Sequence, residues 1–184
     1  MKKYLFFFLF LCTCCLISDT LIAQGTALKL VFIRHAERPE AGDNLTCQGL
    51  NRSMQLPAVL YKKFGKPVNI YVPALKTGEA TKRGRMFQTI TPFAAKFNIN
   101  INSVYDEEDY KHVGKALLKE TGTVVIVWEH KNIVPILTYL GVKTGTLKWV
   151  GADFDSIWIV TFPKGSAVLT KDKEGLKPLP NCPF

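Results

Sequence analysis

The chain lacks several features that would point to particular protein classes. It has no internal repeat and no low-complexity tract, which argues against solenoids and disordered tails. It also lacks an H-E-x-x-H sequence, a carboxylate cluster with metal-ligand spacing and a Walker-type glycine loop. Apart from the N-terminus, no run approaches the roughly 20 apolar residues of a membrane-spanning helix. What remains is ordinary globular composition, with 184 residues, 47% hydrophobic and 21% charged, which suits one domain.

The first 23 residues have the pattern of a secretory signal peptide. Lys2 and Lys3 precede an apolar run over 4–17, which polar residues then interrupt. This run is shorter than the roughly 20 residues that a spanning helix needs. We therefore expect cleavage after Ala23, a single mature domain over 24–184, and a secreted or periplasmic location without stable insertion in a membrane.

Positive charge is in excess, and cysteine is scarce after the predicted leader. The chain has 24 Lys and Arg against 15 Asp and Glu, a net charge of +9, which favours anionic ligands such as phosphorylated substrates or inorganic phosphate. The lysines are scattered without an aromatic-basic platform, so nucleic acid is not an expected partner. Cys47 and Cys182 follow the leader, and the sequence is equally compatible with a disulfide and with two unlinked thiols.

Apolar β-branched runs alternate with helical patterns, which predicts an α/β domain with a mainly parallel, buried central sheet. Strands are expected over 28–33, 69–72, 100–105, 123–128 and 156–162, with an edge strand over 167–170. Helices are expected over 50–64, 85–97, 109–119 and 132–140. The segments after Ile33 and Trp128 then lie at the carboxyl ends of two buried strands, where open α/β sheets bind ligands.

Two of the three histidines follow these two strands. His35 comes after the first strand, directly behind Arg34, and His130 comes after the strand TVVIVW. A single histidine in such a place is usually structural, but two at equivalent positions indicate a site. His112 lies in an amphipathic helix pattern and is expected on the surface.

These residues resemble the histidine phosphatase superfamily, the phosphoglycerate mutase-like proteins. The family begins with a hydrophobic strand that ends in an Arg-His pair, here VFIRHAE, followed by Leu-Thr and a Gly at the next helix, here LTCQG. Its second arginine starts a helix in an R-x-x-Q-T pattern, which Arg85 begins here, and its second histidine ends a later strand, as His130 does. The match runs over about 28–162 and implies a three-layer α/β/α sandwich.

The resemblance implies a phosphohydrolase that acts through a phosphohistidine intermediate on His35, which water then hydrolyses. Arg34, Arg85 and His130 would bind the phosphoryl oxygens, because fixed cationic forks match their charge and geometry. One ring nitrogen of His35 must be unprotonated and aimed at phosphorus while a hydrogen bond holds the other. The substrate would be a phosphomonoester or a phosphorylated protein, and neither a metal nor another cofactor is expected.

The general acid is ambiguous, because the chain has RHAER and EHKN where many members have R-H-G-x-T and H-G or H-D. Glu107, after the third strand, and Glu37, two residues past the nucleophile, are equally ranked. Glu129 ranks lower, because strand alternation would turn it away from a site that His130 faces. Arg83 is the alternative second arginine.

The loops over 39–47 and 73–81 are expected to form the rim and to select the substrate. No insertion is long enough for a cap domain, so an open site is expected. A non-catalytic phosphate-binding protein of the same fold is the second hypothesis. A phosphoglycerate mutase is the third, since mutases generally have longer chains. A carboxylate within reach of the leaving oxygen separates the first two hypotheses.

Overall fold

The computed structural model describes residues 26–76 and 82–182. The predicted signal peptide and part of the predicted 73–81 rim lie outside the described residues. Within the described ranges, no helix combines the length and the apolar character needed to cross a membrane.

Six strands form one sheet in the order β3-β2-β4-β1-β5-β6. Strands β3, β2, β4 and β1 are mutually parallel, and β5 and β6 add to one side in antiparallel fashion. The prediction of a mainly parallel sheet is therefore confirmed. The strands are β1 (Lys29–Arg34), β2 (Asn69–Tyr71), β3 (Ile101–Asn102), β4 (Thr123–Trp128), β5 (Ser156–Thr161) and β6 (Val168–Lys173).

Helices cover both faces of the sheet, as the sandwich prediction requires. Side chains of β1 alternate, so that Val31 and Ile33 face one layer while Leu30 and Phe32 face the other. The first layer contains α1 (Cys47–Phe64) and α2 (Gly84–Phe97), and the second contains α3 (Tyr110–Leu117) and α4 (His130–Tyr139). The two apolar cores meet at the sheet, where β1 and β4 are almost entirely buried.

Several boundaries differ from the sequence prediction for local reasons. Helix α1 begins at Cys47, earlier than expected, because the hydroxyl of Thr46 caps it by accepting from the Gly49 amide at 3.1 Å. Strand β3 is only two residues long. Strand β6 continues through the polar residues up to Lys173, because β5 pairs with it along its whole length. Helix α4 starts at His130 rather than at 132.

A disulfide joins Cys47 to Cys182 and closes a sequence separation of 135 residues. The first residue of α1 is thereby linked to the C-terminal tail. Of the two alternatives that the sequence left open, the structure contains the disulfide.

Candidate active site

The register of β1 on β4 brings the two histidine segments together. Arg34 and Trp128, the last residues of these strands, are direct partners. His35 and Glu129 come next, and Nε2 of His35 lies 3.1 Å from Oε2 of Glu129. His130, the first residue of α4, follows Glu129 and is in ion-pair contact with its Oε1. The structure therefore places both predicted histidines in one cluster at the carboxyl edge of the sheet.

His35 is fully buried and held at both ring nitrogens. Nδ1 lies 2.7 Å from the carbonyl oxygen of Ala36 and must donate a proton to it. Nε2 must also carry a proton in this arrangement, since a lone pair would otherwise face the carboxylate of Glu129. The ring orientation is thus fixed as a nucleophile requires, but a carboxylate lies against the atom that would attack phosphorus.

Glu129 is ionised despite partial burial. Burial opposes its charge, but the hydrogen bond from His35 and the positive charges of His35, His130 and Arg34 lower the pKa of Glu129 to about 2. The sequence argument that turned this side chain away from the site is wrong. Glu129 lies beyond the last residue of β4 and directly before the first residue of α4, so the alternation of a strand no longer sets its direction.

The segment 151–154 holds the side chain of Arg34 in place. Its Nη1 donates to the carbonyls of Gly151 at 2.6 Å and Asp153 at 3.4 Å, and its guanidinium carbon stands 4.0 Å over the ring of Phe154. Burial lowers the pKa of Arg34 to about 10, so the side chain remains charged at neutral pH. Sequence reasoning did not identify this supporting segment, because its contacts are backbone carbonyls more than one hundred residues away from Arg34.

Arg85 lies in the first turn of α2. This helix is docked to the site because the hydroxyl of Thr89 accepts from the Ala36 amide at 2.9 Å. Nη1 of Arg85 donates to the Gly42 carbonyl at 2.9 Å, which ties the arginine to the predicted 39–47 rim. Arg83, the alternative second arginine, is paired instead with acidic side chains of the segment before α3.

Three buried nitrogens in the described part of the chain lack a hydrogen-bond partner. They are Nε of Arg34, Nε of Arg85 and Nδ1 of His130, which touches Oε1 of Glu129 without hydrogen-bond geometry. All three belong to the residues predicted to bind phosphoryl oxygens. An unsatisfied buried donor costs about 1–3 kcal/mol, so the site favours a ligand rich in acceptor oxygens.

Glu107 lies beside the end of β4. Its backbone carbonyl accepts from the Trp128 indole at 2.8 Å, and its carboxylate lies 3.4 Å from Nδ2 of Asn132 and 3.2 Å from Nε of Arg83. Burial and the negative charge of Glu129 raise the pKa of Glu107, while Arg83 partly opposes this. A carboxyl group with a raised pKa near the histidines suits a general acid.

Glu37 is engaged elsewhere. Both of its oxygens accept from Arg52 at 2.8–3.0 Å. The same buried guanidinium contacts Glu174 at 2.5 Å and Asp155 at 3.6 Å. The two candidates that the sequence ranked equally therefore have different surroundings: both oxygens of Glu37 are engaged by Arg52, whereas the carboxylate of Glu107 lies next to Asn132 and Arg83. This four-residue polar cluster around Arg52 was not predicted, since single polar residues far apart in sequence give no signal of contact.

Neither a family model nor a curated protein sequence matches this chain. Solved structures do. A putative phosphohistidine phosphatase SixA from Agrobacterium tumefaciens is 15% identical with a TM-score of 0.54, over 82% of this chain and 99% of that one. A protein histidine phosphatase SixA complexed with tungstate is 15% identical with a TM-score of 0.58, over 79% and 97%.

A third similar structure is phosphoserine phosphatase from Entamoeba histolytica in complex with 3-phosphoglyceric acid. It is 18% identical with a TM-score of 0.54, over 81% of this chain and 98% of that one. The likeness extends over nearly the whole of each solved chain. At identities this low, the structural likeness establishes the fold alone. The chain therefore has the same α/β fold as these solved phosphatase structures, which is the fold that the sequence resemblance predicted.

Proposed function

We propose that this protein is a phosphatase that removes a phosphoryl group from a phosphomonoester or a phosphorylated protein through a phosphohistidine on His35. The observation that carries the proposal is the set of three unpartnered buried nitrogens on Arg34, Arg85 and His130. Arg34 precedes the buried His35 directly, His130 contacts the carboxylate that also contacts His35, and the helix of Arg85 is docked to Ala36 through Thr89. The ring of His35 is already oriented by the Ala36 carbonyl. The similar solved structures support it, since they include a phosphoserine phosphatase and a protein histidine phosphatase in complex with tungstate, an oxyanion.

In the first half-reaction, the phosphoryl group displaces the carboxylate of Glu129 from Nε2 of His35, and the Nε2 proton leaves to solvent. The lone pair of Nε2 then attacks phosphorus as the bond from phosphorus to the leaving oxygen breaks. Arg34, Arg85 and His130 stabilise the charge on the non-bridging oxygens. Protonated Glu107 gives its proton to the leaving oxygen.

In the second half-reaction, water attacks the phosphohistidine. Glu107, now ionised, accepts a proton from the water as the bond between phosphorus and Nε2 breaks. Inorganic phosphate departs, Nε2 recovers a lone pair, and Glu107 is again protonated. Nε2 then takes a proton from solvent as the carboxylate of Glu129 returns to it. No metal is required for any of these steps.

Turnover of an aryl phosphate by the purified protein, with and without a chelator, tests this proposal. His35→Ala should abolish turnover, while His112→Ala, at an exposed histidine on α3, should leave it unchanged. Glu107→Gln should lower kcat by about 10²–10⁴-fold, the usual contribution of a general acid, with a much smaller effect on tungstate binding. Full activity of His35→Ala would refute the mechanism.

A non-catalytic oxyanion-binding protein is the second candidate. The position of Glu129 favours it, because the carboxylate lies 3.1 Å from the proposed nucleophilic atom. Tungstate binding without turnover of aryl phosphates, phosphoserine or phosphohistidine substrates would support this candidate over the phosphatase.

We also propose that the protein is exported. The leader pattern of residues 1–23 supports export, and so does the Cys47–Cys182 disulfide, because disulfides persist mainly in oxidising compartments. N-terminal sequencing of protein collected outside the cytoplasm should begin at Gln24. Recovery of only the uncleaved chain from the cytoplasm would contradict the proposal.

A further inference from the structure

Two imidazoles and one carboxylate converge at the edge of the sheet. One ligand-type atom each from His35, Glu129 and His130 lies within 4.8 Å of the others. Histidine nitrogens and carboxylate oxygens are the donors that zinc binds in catalytic-type sites, with three protein ligands and an open fourth position. The sequence alone gave no metal signal, because His35 and Glu129 are 94 residues apart.

The geometry of the pair formed by His35 and Glu129 suits a tetrahedral ion. Zinc–ligand bonds of about 2.0–2.2 Å place neighbouring ligand atoms roughly 3.3–3.5 Å apart. Nε2 of His35 and Oε2 of Glu129 are 3.1 Å apart. After a small separation of the two atoms, the ion replaces the proton between them, which leaves to solvent. Nδ1 of His35 is held by the Ala36 carbonyl at 2.7 Å, which is the outer contact typical of metal-binding histidines.

His130 supplies the third donor without losing a hydrogen bond. Its Nδ1 is buried and has no hydrogen-bond partner. Glu129 lies between the two rings and contacts both, so its negative charge offsets part of the charge of an incoming dication. The guanidinium of Arg34 opposes a cation here, and we therefore expect binding that a chelator reverses.

We propose that His35, Glu129 and His130 bind one Zn²⁺ ion, and that this ion excludes oxyanions from the site. The lone pair of Nε2 cannot bind zinc and attack phosphorus at the same time. Zinc binding itself is independent of the proposed phosphatase activity. Its consequence, inhibition of turnover, rests on that proposed function.

Calorimetric titration with zinc chloride tests the site directly, and the visible absorption spectrum with Co²⁺ reports the coordination geometry. Because Cys12, Cys14 and Cys15 in the leader could also bind zinc, all variants should carry serine at these three positions. Measurement of zinc binding requires no turnover, so loss of the zinc site and failure of the phosphatase proposal are distinguishable.

We expect one equivalent of zinc to bind, with affinity reduced at least tenfold in Glu129→Gln and in His130→Ala. His112→Ala is the matched control, because that histidine also contacts a carboxylate, Asp109, but lies on the surface. It should bind zinc like the parent. Tungstate should weaken zinc binding, and Glu129→Gln should bind tungstate more tightly while binding zinc more weakly. A misfolded variant would instead lose both ligands.

Absence of zinc binding by the parent protein would overturn the proposal. Unchanged zinc affinity in Glu129→Gln and His130→Ala would overturn it as well, since the ion would then lie elsewhere. Simultaneous binding of zinc and tungstate without competition would refute the exclusion of oxyanions.

Discussion

Replacement of Glu129 by glutamine should strengthen oxyanion binding. The carboxylate lies 3.1 Å from Nε2 of His35, where the phosphoryl group must come, and only 16% of the side chain is exposed. Glutamine has nearly the same shape and removes the negative charge. In the parent protein, the bound anion must both displace this charge and remain near it.

The size of the effect follows from Coulomb's law. Two unit charges about 4 Å apart repel by roughly 4 kcal/mol at an effective dielectric constant near 20. The displaced carboxylate moves towards solvent, so only part of this repulsion persists. We expect a gain of about 1.4–2.8 kcal/mol, which is a 10- to 100-fold decrease in the Kd for tungstate.

Isothermal titration calorimetry with sodium tungstate, at one pH and one ionic strength, measures this change. Glu108→Gln is the matched control, because it makes the same charge change at an exposed carboxylate near the site. Its Kd should stay within a few-fold of the parent value, since salt screens exposed charges. An unchanged or larger Kd in Glu129→Gln would refute the idea that this carboxylate competes with the ligand.

Two further predictions concern stability. Burial raises the pKa of Glu174 from an ordinary value of 4.5 to about 8. Arg52 opposes this change, and nearby Asp155 adds to it. The native state therefore retains a proton that the unfolded chain loses, so this group lowers the free energy of unfolding as pH rises from about 4.5 to about 8. In denaturation experiments, the free energy of unfolding of Glu174→Gln relative to that of the parent should rise by up to about 5 kcal/mol across this pH range. A difference that does not depend on pH would contradict the raised pKa of Glu174. Loss of the disulfide in C47S/C182S should lower the free energy of unfolding by about 2–5 kcal/mol in a urea titration, because a long closed loop is released, and an unchanged midpoint would contradict this.

The central strands were predictable because they are buried on both faces. Such strands consist of continuous β-branched and aromatic residues, as TVVIVW in β4 does, and their ends place Arg34, His35 and His130 at one edge. The family pattern added the helix that carries Arg85. The local sequence therefore predicted the central strands and their mainly parallel arrangement. Together with the family pattern, it identified four of the residues around the site.

The remaining features depend on contacts between distant residues. Whether Glu129 faces His35 depends on where β4 ends and α4 begins, a boundary of one residue. The different surroundings of Glu107 and Glu37 depend on Arg52, which donates to both oxygens of Glu37 from α1. Such pairings follow from tertiary packing, and no local periodicity encodes them.

Direct detection of the covalent intermediate tests whether His35 is the nucleophile. The purified protein is mixed with an aryl phosphate, quenched in alkali to preserve a phosphorus–nitrogen bond, and measured by intact-protein and peptide mass spectrometry. We expect one added phosphoryl group on His35, which is absent in His35→Ala and present in His112→Ala. Turnover by the parent protein with no phosphoryl group on His35, or with the same adduct in His35→Ala, would contradict it.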